Sequence, residues 1–327
     1  MSRIRLGVTC PFPRIPIFGG HSLTSPIMHY HPFLLFLLFL APALRAQPLD
    51  TVRLPGSEVY FTMVPLEGGS FAFGETGQLV TLSPFAISSH EVTHDAYRLF
   101  QVRDNDTPVA ATEGWDVDAV SRPSPPYLDL TYGMGTRGGY PQVNTTQQAA
   151  LRYCEWLYEK TGRFFRLPTE AEWEYACLAG EEPDPADLED LAWLYENGEE
   201  TYHPTGEKQP NAWGLYDMIG NVSEWTLDEY YDDYADRIAA APADPWMRPD
   251  GKHSRTVRGG SFDTEMSTAG CRAREKSSPR WQARDPQIPK SRWWNVDSPF
   301  LGFRLVSPAE QPSPGEVHAF FSEAIVD

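Results

Sequence analysis

Residues 210–225 read PNAWGLYDMIGNVSEW. Two carboxylates, Asp217 and Glu224, stand on either side of a Gly220-Asn221 pair. A tight Gly-Asn turn lets backbone carbonyls converge. Carbonyls and carboxylates are the donors a hard cation takes, and Ca²⁺ tolerates an irregular cage of them. The plainer reading is a turn that packs Trp225 into a core. On either reading the stretch is a structured turn, and the chain around it is short of long regular elements.

Working outward, the clearest helices lie upstream. In NTTQQAALRYCEWLYEKTG (144–162), Thr145 and Gln148 read as a capping box. Ala150, Cys154, Leu157 and Tyr158 make one apolar face there, and Gly162 is the stop. After FFRLP, Thr169 and Glu172 form a second capping box that opens TEAEWEYACLAG. Residues 56–73 read as two short strands around a Gly-Gly turn, and 101–143 as Pro/Gly-rich irregular chain. The chain after Gly180 is acidic and loop-like to about residue 210, and SPAEQPSPGE begins a loose tail. No internal repeat is present. Two helices, few long strands and much irregular chain predict an α+β domain that needs staples or ions.

His90-Glu91-Val92-Thr93-His94 matches H-E-x-x-H, the zinc-protease signature. That site needs both histidines on one helix face. Upstream, LVTLSPFAISS is β-branched and alternating, so a strand enters the motif. Thr93 is a good N-cap for a helix starting at HDAYRLF. His90 then lies in extended chain and His94 in a first helical turn, and the two diverge. The expectation is two solvated surface histidines, with no third ligand offered by His203, His253 or His318.

Residues 1–46 read as a leader. From Met28, a short polar start, an apolar run Phe33–Ala41 and a small residue at Ala46 make 28–46 a secretory signal peptide. It is too short to span a membrane, and no second apolar segment follows. The expected product is exported, to the periplasm or outside the cell, without a transmembrane segment. Beyond the leader stand 23 basic and 45 acidic residues, a net charge of −22. Nucleic acid would be repelled over most of such a surface. Cys154, Cys177 and Cys271 remain, an odd number in an oxidising compartment, so one pair and one leftover thiol is the simplest reading.

Four stretches in order carry a resemblance: EVTHDAYRLF (91–100), RLPTEAEWEYACLAG (166–180), PNAWGLYDMIGNVSEW (210–225), and VRGGSF with LGFRLV (257–262, 301–306). Together they resemble the formylglycine-generating enzyme, or sulfatase-modifying factor, family over about residues 56–307. The resemblance implies an α+β domain related to the C-type lectin fold, low in regular secondary structure and stabilised by calcium. The domain is expected over 47–307, with 308–327 as tail. It implies that Asp217 and Glu224 give calcium their side chains and Gly220 and Val222 their carbonyls. A second family calcium site falls near 192–200 with no ligands that can be named. It also implies a disulfide between Cys177 and Cys271. The family's other bridge would join Cys154 to position 305, which is Leu305, so Cys154 is expected free.

The best-known members of the family oxidise a sulfatase cysteine with copper and O₂. Cu(I) is soft and selects thiolates. The family's two cysteines lie three and eight residues after the Ser of GGS, where this chain has Thr264 and Ala269. Counting back from Cys271 instead gives Ser261 and Met266. Neither alignment supplies a thiol. The family's Trp between GNV and EW is Ser223, and its Asn before LGFR is Phe300. Ser223, Ser261, Thr264 and Phe300 are therefore groove candidates, and copper is not expected. Iron is not expected either, because the iron-using relatives draw ligands from an extra helical domain. The family is one of oxidoreductases, so catalysis stays open. The favoured reading is an exported, calcium-stabilised module that binds a protein, peptide or glycan; PRWQARDPQIPKSRWW (279–294) is a candidate binding edge, although such tryptophans are more often simply buried. The alternative is a metal-dependent oxidase with a rearranged site.

Overall fold

A computed structural model describes residues 50–106, 122–123, 129–251, 254–283 and 295–326 of the chain. The expected leader, and residues 284–294 of the expected binding edge, lie outside the described residues.

The first strands are β1 (Asp50–Arg53) and β2 (Tyr60–Leu66). Gly68 and Gly69 then turn the chain at positive φ into β3 (Gly69–Phe73) and β4 (Gln78–Leu82). A Cβ on Gly68 would strike the Leu82 carbonyl, so glycine is needed where the hairpin crosses its own exit. A strand enters the H-E-x-x-H stretch as expected, but LVTLSPFAISS is broken at Ser83-Pro84 into β4 and β5 (Phe85–Ser88), and β5 is buried at every residue rather than alternating. Thr93 caps α1 (His94–Gln101), accepting from the Ala96 amide.

α2 (Gln147–Thr161) ends at left-handed Gly162, as expected. Its cap is Thr146, which accepts from Ala149 N–H; the predicted Thr145 lies one residue outside, bridged to Asn295. With two threonines in a row, composition cannot choose between registers, and the bridge to Asn295 takes Thr145 out of reach. α3 (Glu170–Leu178) opens with the predicted Thr169/Glu172 capping box, and Arg166 grips Glu172 with two N–H groups. α4 (Leu188–Leu191) is a single turn. β6 (Ser223–Glu229) is buried along its whole length, followed by α5 (Tyr234–Ala240), β7 (Arg255–Arg258) and β8 (Arg274–Lys276). β9 (Leu301–Gly302) and β10 (Val306–Pro308) precede α6 (Pro314–Ala324).

The strands form a sheet ordered β1-β2-β5-β10, the β3-β4 hairpin, and a sheet ordered β8-β7-β6-β9 in which only β6 and β9 run parallel. One core lies among α1, α2, α6 and the sheets, around Tyr97, Tyr153, Trp156 and Phe303. A second lies between the β3-β4 hairpin and α3, around Phe73, Trp173 and Ile219. Few strands exceed five residues, which agrees with an α+β domain rich in irregular chain.

The expected loose tail is instead helical from Pro314 to Ala324. Ser313 and Glu316 make a capping box, Pro314 starts the first turn, and Val317 and Phe321 are buried against α2 and Phe164. The Pro/Ser-rich approach hid an amphipathic turn pattern. Phe321→Ala should therefore lower the unfolding free energy by roughly 3–4 kcal/mol. Urea denaturation measures it, and a change below about 0.5 kcal/mol, the size of an ordinary surface substitution, would mean that the helix does not pack.

Candidate functional site

Gly220 and Asn221 both have positive φ, and a Cβ at Gly220 would collide with the Trp193 carbonyl. The turn is pinned from four sides. Gly220 N–H donates to Gly259 O (3.0 Å), Asn221 N–H to Trp193 O (2.8 Å), Phe262 N–H to Asn221 O (3.0 Å), and Ser223 N–H to Phe300 O (2.8 Å). This gathers the Gly-Gly-Ser segment and Phe300 around the turn that opens β6.

Beneath it lies a buried cluster of charge. Arg304, between β9 and β10, is fully buried and donates through Nε to both oxygens of Glu224 (2.8 and 2.7 Å). Its Nη1 donates to Ser88 O (3.2 Å) and its Nη2 to Tyr216 O (3.0 Å) and Asp217 O (3.3 Å). Trp173 Nε1 also donates to Glu224 Oε2 (2.7 Å). Asn221 Nδ2 donates to Glu91 Oε1 (3.0 Å), and Gly206 N–H donates to Asp217 Oδ2 (2.6 Å). The other oxygens, Glu91 Oε2 and Asp217 Oδ1, are buried with no hydrogen-bond partner, and the two carboxyls lie within hydrogen-bonding reach of each other. Burial, and then the proximity of Asp217, pushes the Glu91 carboxyl well above its ordinary range; burial pushes Asp217 up to about 6. Three carboxylates therefore face one guanidinium.

The calcium donor set can be tested on these contacts. Asp217 fits, because its Oδ1 is buried without a hydrogen-bond partner and is free to face a cation. Glu224 does not, because both its oxygens are committed to Arg304 and Trp173. Glu91, unforeseen in the sequence except as part of the H-E-x-x-H match, supplies the second spare oxygen. Gly220 and Val222 follow Asp217 along the turn, and Val222 is fully buried. Among the described residues no three His, Cys, Asp or Glu side chains form a ready cluster for a metal. Residues 192–200 are tied by Asn197, which accepts from Leu194 N–H and donates to Ala192 O.

The histidines diverge as expected, yet both are half-buried and hydrogen-bonded rather than fully solvated. His90 stacks on Tyr216 (centroids 4.5 Å) and shares a hydrogen bond with Ser89 Oγ (2.7 Å); His94 Nδ1 meets Gln142 Oε1 (3.0 Å). Burial, helped by Arg304, pushes His90 down to about 4.

Of the groove candidates, Ser223 is buried at the start of β6 and Phe300 packs partly buried against Val222 and Phe262. Ser261 Oγ accepts from Asp263 N–H (3.2 Å). Thr264 Oγ1 accepts from Ser261 N–H (2.9 Å), so its hydroxyl closes the loop after the Gly-Gly pair. The Cys177–Cys271 bridge is formed, with Cα atoms 5.5 Å apart, and Cys154 is free and buried, its thiol pushed up by burial.

This arrangement belongs to a recognisable class. The sulfatase-modifying factor enzyme 1-like domain matches residues 55–308, and the chain is a member of that family. It is 29% identical over 273 residues to a formylglycine-generating enzyme of Thermomonospora curvata, covering 65% of this chain and 86% of that one. It is also 29% identical over 307 residues to the inactive C-alpha-formylglycine-generating enzyme 2 of Bos taurus, covering 78% and 90%. The structure of PvdO from Pseudomonas aeruginosa matches with a TM-score of 0.57 at 24% identity, over 80% of this chain and 99% of that one. The fold is accordingly the α+β fold related to C-type lectins.

The depressed His90 gives a signed expectation. Between its unfolded value near 6.5 and about 4, the unfolded chain takes up a proton that the folded chain refuses, so stability falls as pH falls through that window. The loss is at most about 3 kcal/mol. Urea unfolding of His90→Gln against the parent, from pH 7 to pH 4.5, should show the variant losing less; identical slopes would remove His90 from the pH response.

Proposed function

We propose that this protein is an exported member of the family that binds a partner and lacks the copper-dependent cysteine oxidation. One observation carries the reading: Thr264 closes the loop with its hydroxyl, while the three cysteines beyond residue 46 are a disulfide pair and a buried thiol. A soft copper ion needs two thiolates together, and neither a hydroxyl nor Ala269 replaces one. The relative whose name includes "inactive" supports the same direction. Export is supported by the apolar run Phe33–Ala41 before a small residue. No helix among the described residues is long and apolar enough to cross a membrane. The test is a sulfatase-type cysteine peptide incubated with the protein and copper. No mass loss above a no-protein control is expected, and conversion to the aldehyde would overturn the reading in favour of an oxidase with a rearranged site.

Calcium is the proposed structural ion, and Asp217 its anchor. Its unpartnered oxygen, with that of Glu91, supports two carboxylate donors, and carbonyls of the Gly220–Val222 turn complete the oxygen set; Glu224 stays with Arg304. Bound calcium would supply the positive charge this cluster lacks. An ion that binds only the folded state stabilises by roughly 3 kcal/mol at a hundredfold excess over Kd. EDTA should therefore lower the melting temperature, calcium should restore it, and Asp217→Ala should abolish both responses. A melt unchanged by EDTA and by added calcium would remove the ion. Copper or iron bound in stoichiometric amount would favour the oxidase.

A further inference from the structure

A second cavity shares Asp217, Met218 and Ile219 with the stretch that leads into the Gly-Asn turn but none of the groove candidates Ser223, Ser261, Thr264 and Phe300. It is an open groove of about 940 Å³ beside the C-terminal end of α3. Leu178, Leu215, Met218 and Ile219 line its floor, all buried side chains of the second core. Its outer wall is the exposed segment Gly180–Asp187, which carries Glu181, Glu182, Asp184 and Asp187.

Both walls are anchored. Cys177 is bridged to Cys271, so α3 cannot shift at its C-terminal end. Asn211 ties the opposite wall to the same helix end, its Nδ2 donating to Ala176 O (2.8 Å) and Cys177 O (3.2 Å). Its Oδ1 accepts from Trp213 and Leu215 N–H groups (3.0 and 3.1 Å). Pro183 and Pro185 restrict the outer wall, and Asp184 caps the short turn after it through Ala186 N–H (2.9 Å). The groove is thus formed before anything binds, which limits the ordering cost of association.

Its charges are unequally committed. Glu182 is taken by Cys271 N–H and Arg272, Asp184 by its cap, and the buried Asp217 by Gly206 N–H. Glu181 and Asp187 make no ion pair among the described residues, and no Lys or Arg lines the groove. No aromatic ring lines it either, so it lacks the flat faces on which sugar rings stack. An apolar floor under an acidic rim suits one kind of occupant.

We propose that this groove docks an extended peptide segment with an apolar anchor between basic residues. The apolar side chain would occupy the floor of Leu215, Met218 and Ile219, and the flanking Lys or Arg would meet Glu181 and Asp187. The segment is part of a partner protein, and the proposal rests on the binding-module reading while naming its partner class. An oxidase activity would overturn that reading without touching a peptide titration, so the two failures are distinguishable.

The test uses the protein with calcium present and three end-capped, fluorescein-labelled nine-residue peptides, titrated by anisotropy. One alternates Lys with Leu, one Lys with Ser, and one Glu with Leu. Saturable one-to-one binding is expected for Lys/Leu, with the others at least about tenfold weaker. The double variant Glu181→Lys, Asp187→Lys should weaken Lys/Leu binding about tenfold or more. The matched pair Glu58→Lys, Glu310→Lys, on exposed residues outside the groove, should change it less than about twofold. Ala212→Trp, which fills the exposed edge of the groove without altering charge, should block binding. Absence of saturable binding, equal losses in both charge variants, or unaltered binding by Ala212→Trp would each overturn the proposal.

Discussion

Arg304 is the point through which the two larger sheets are joined. It lies between β9, at the edge of one sheet, and β10, at the edge of the other. Its guanidinium reaches β5 through Ser88 O, β6 through Glu224, and the Gly-Asn stretch through Tyr216 and Asp217 carbonyls. A buried guanidinium with five fixed N–H donors can satisfy several carbonyls and one carboxylate together, which a lysine cannot. Such a pair is weak evidence of net stability, since desolvating both charges offsets most of their attraction. Its stronger effect is on arrangement: removing one partner leaves a buried charge and costs about 3–5 kcal/mol, so alternative ways of crossing between the sheets are excluded.

That arrangement explains how a fold with short strands holds an exact turn. The Gly-Asn pair needs left-handed backbone at Asp217, Gly220 and Asn221, each unfavourable for most residues. Around them stand Trp193, Gly259, Phe262 and Phe300, each tied by a backbone hydrogen bond, and below them Arg304. The strain at the turn is held by a set of partners drawn from distant parts of the chain. The disulfide holds α3 to the segment before β8 in the same manner. Staples at a few points replace the long ladders that regular sheets would provide.

Local features were legible in the sequence and long-range ones were not. The Thr169/Glu172 capping box, the Thr93 cap and the Gly162 stop depend on residues three or four apart, and each is found where residue chemistry puts it. The Thr146 cap was missed by one position because its neighbour is chemically identical. The α6 capping box, Ser313-Pro314-Gly315-Glu316, was present in the text but obscured by its Pro-rich approach. Arg304 and Glu224 lie 80 residues apart, and no local pattern links them. Glu91 is hidden differently: it lies inside a match to a zinc motif in which His90 and His94 are the conspicuous residues. The groove candidates were found by resemblance, and the contacts that bring Ser223, Ser261 and Phe300 around one turn came only with the fold.

The same contacts separate what holds the site together from what would make it react. The Thr264 hydroxyl accepts the Ser261 amide, so the loop after the Gly-Gly pair is closed by one of its own side chains. The scaffold of Arg304, Glu224 and the Gly-Asn turn makes no use of that position. Residue 264 therefore holds the loop through one requirement, that its side chain satisfy the backbone donor that the loop exposes. A threonine does so and an alanine would not, since only the hydroxyl reaches the Ser261 N–H. The fold supports the loop, and the single hydroxyl at residue 264 closes it.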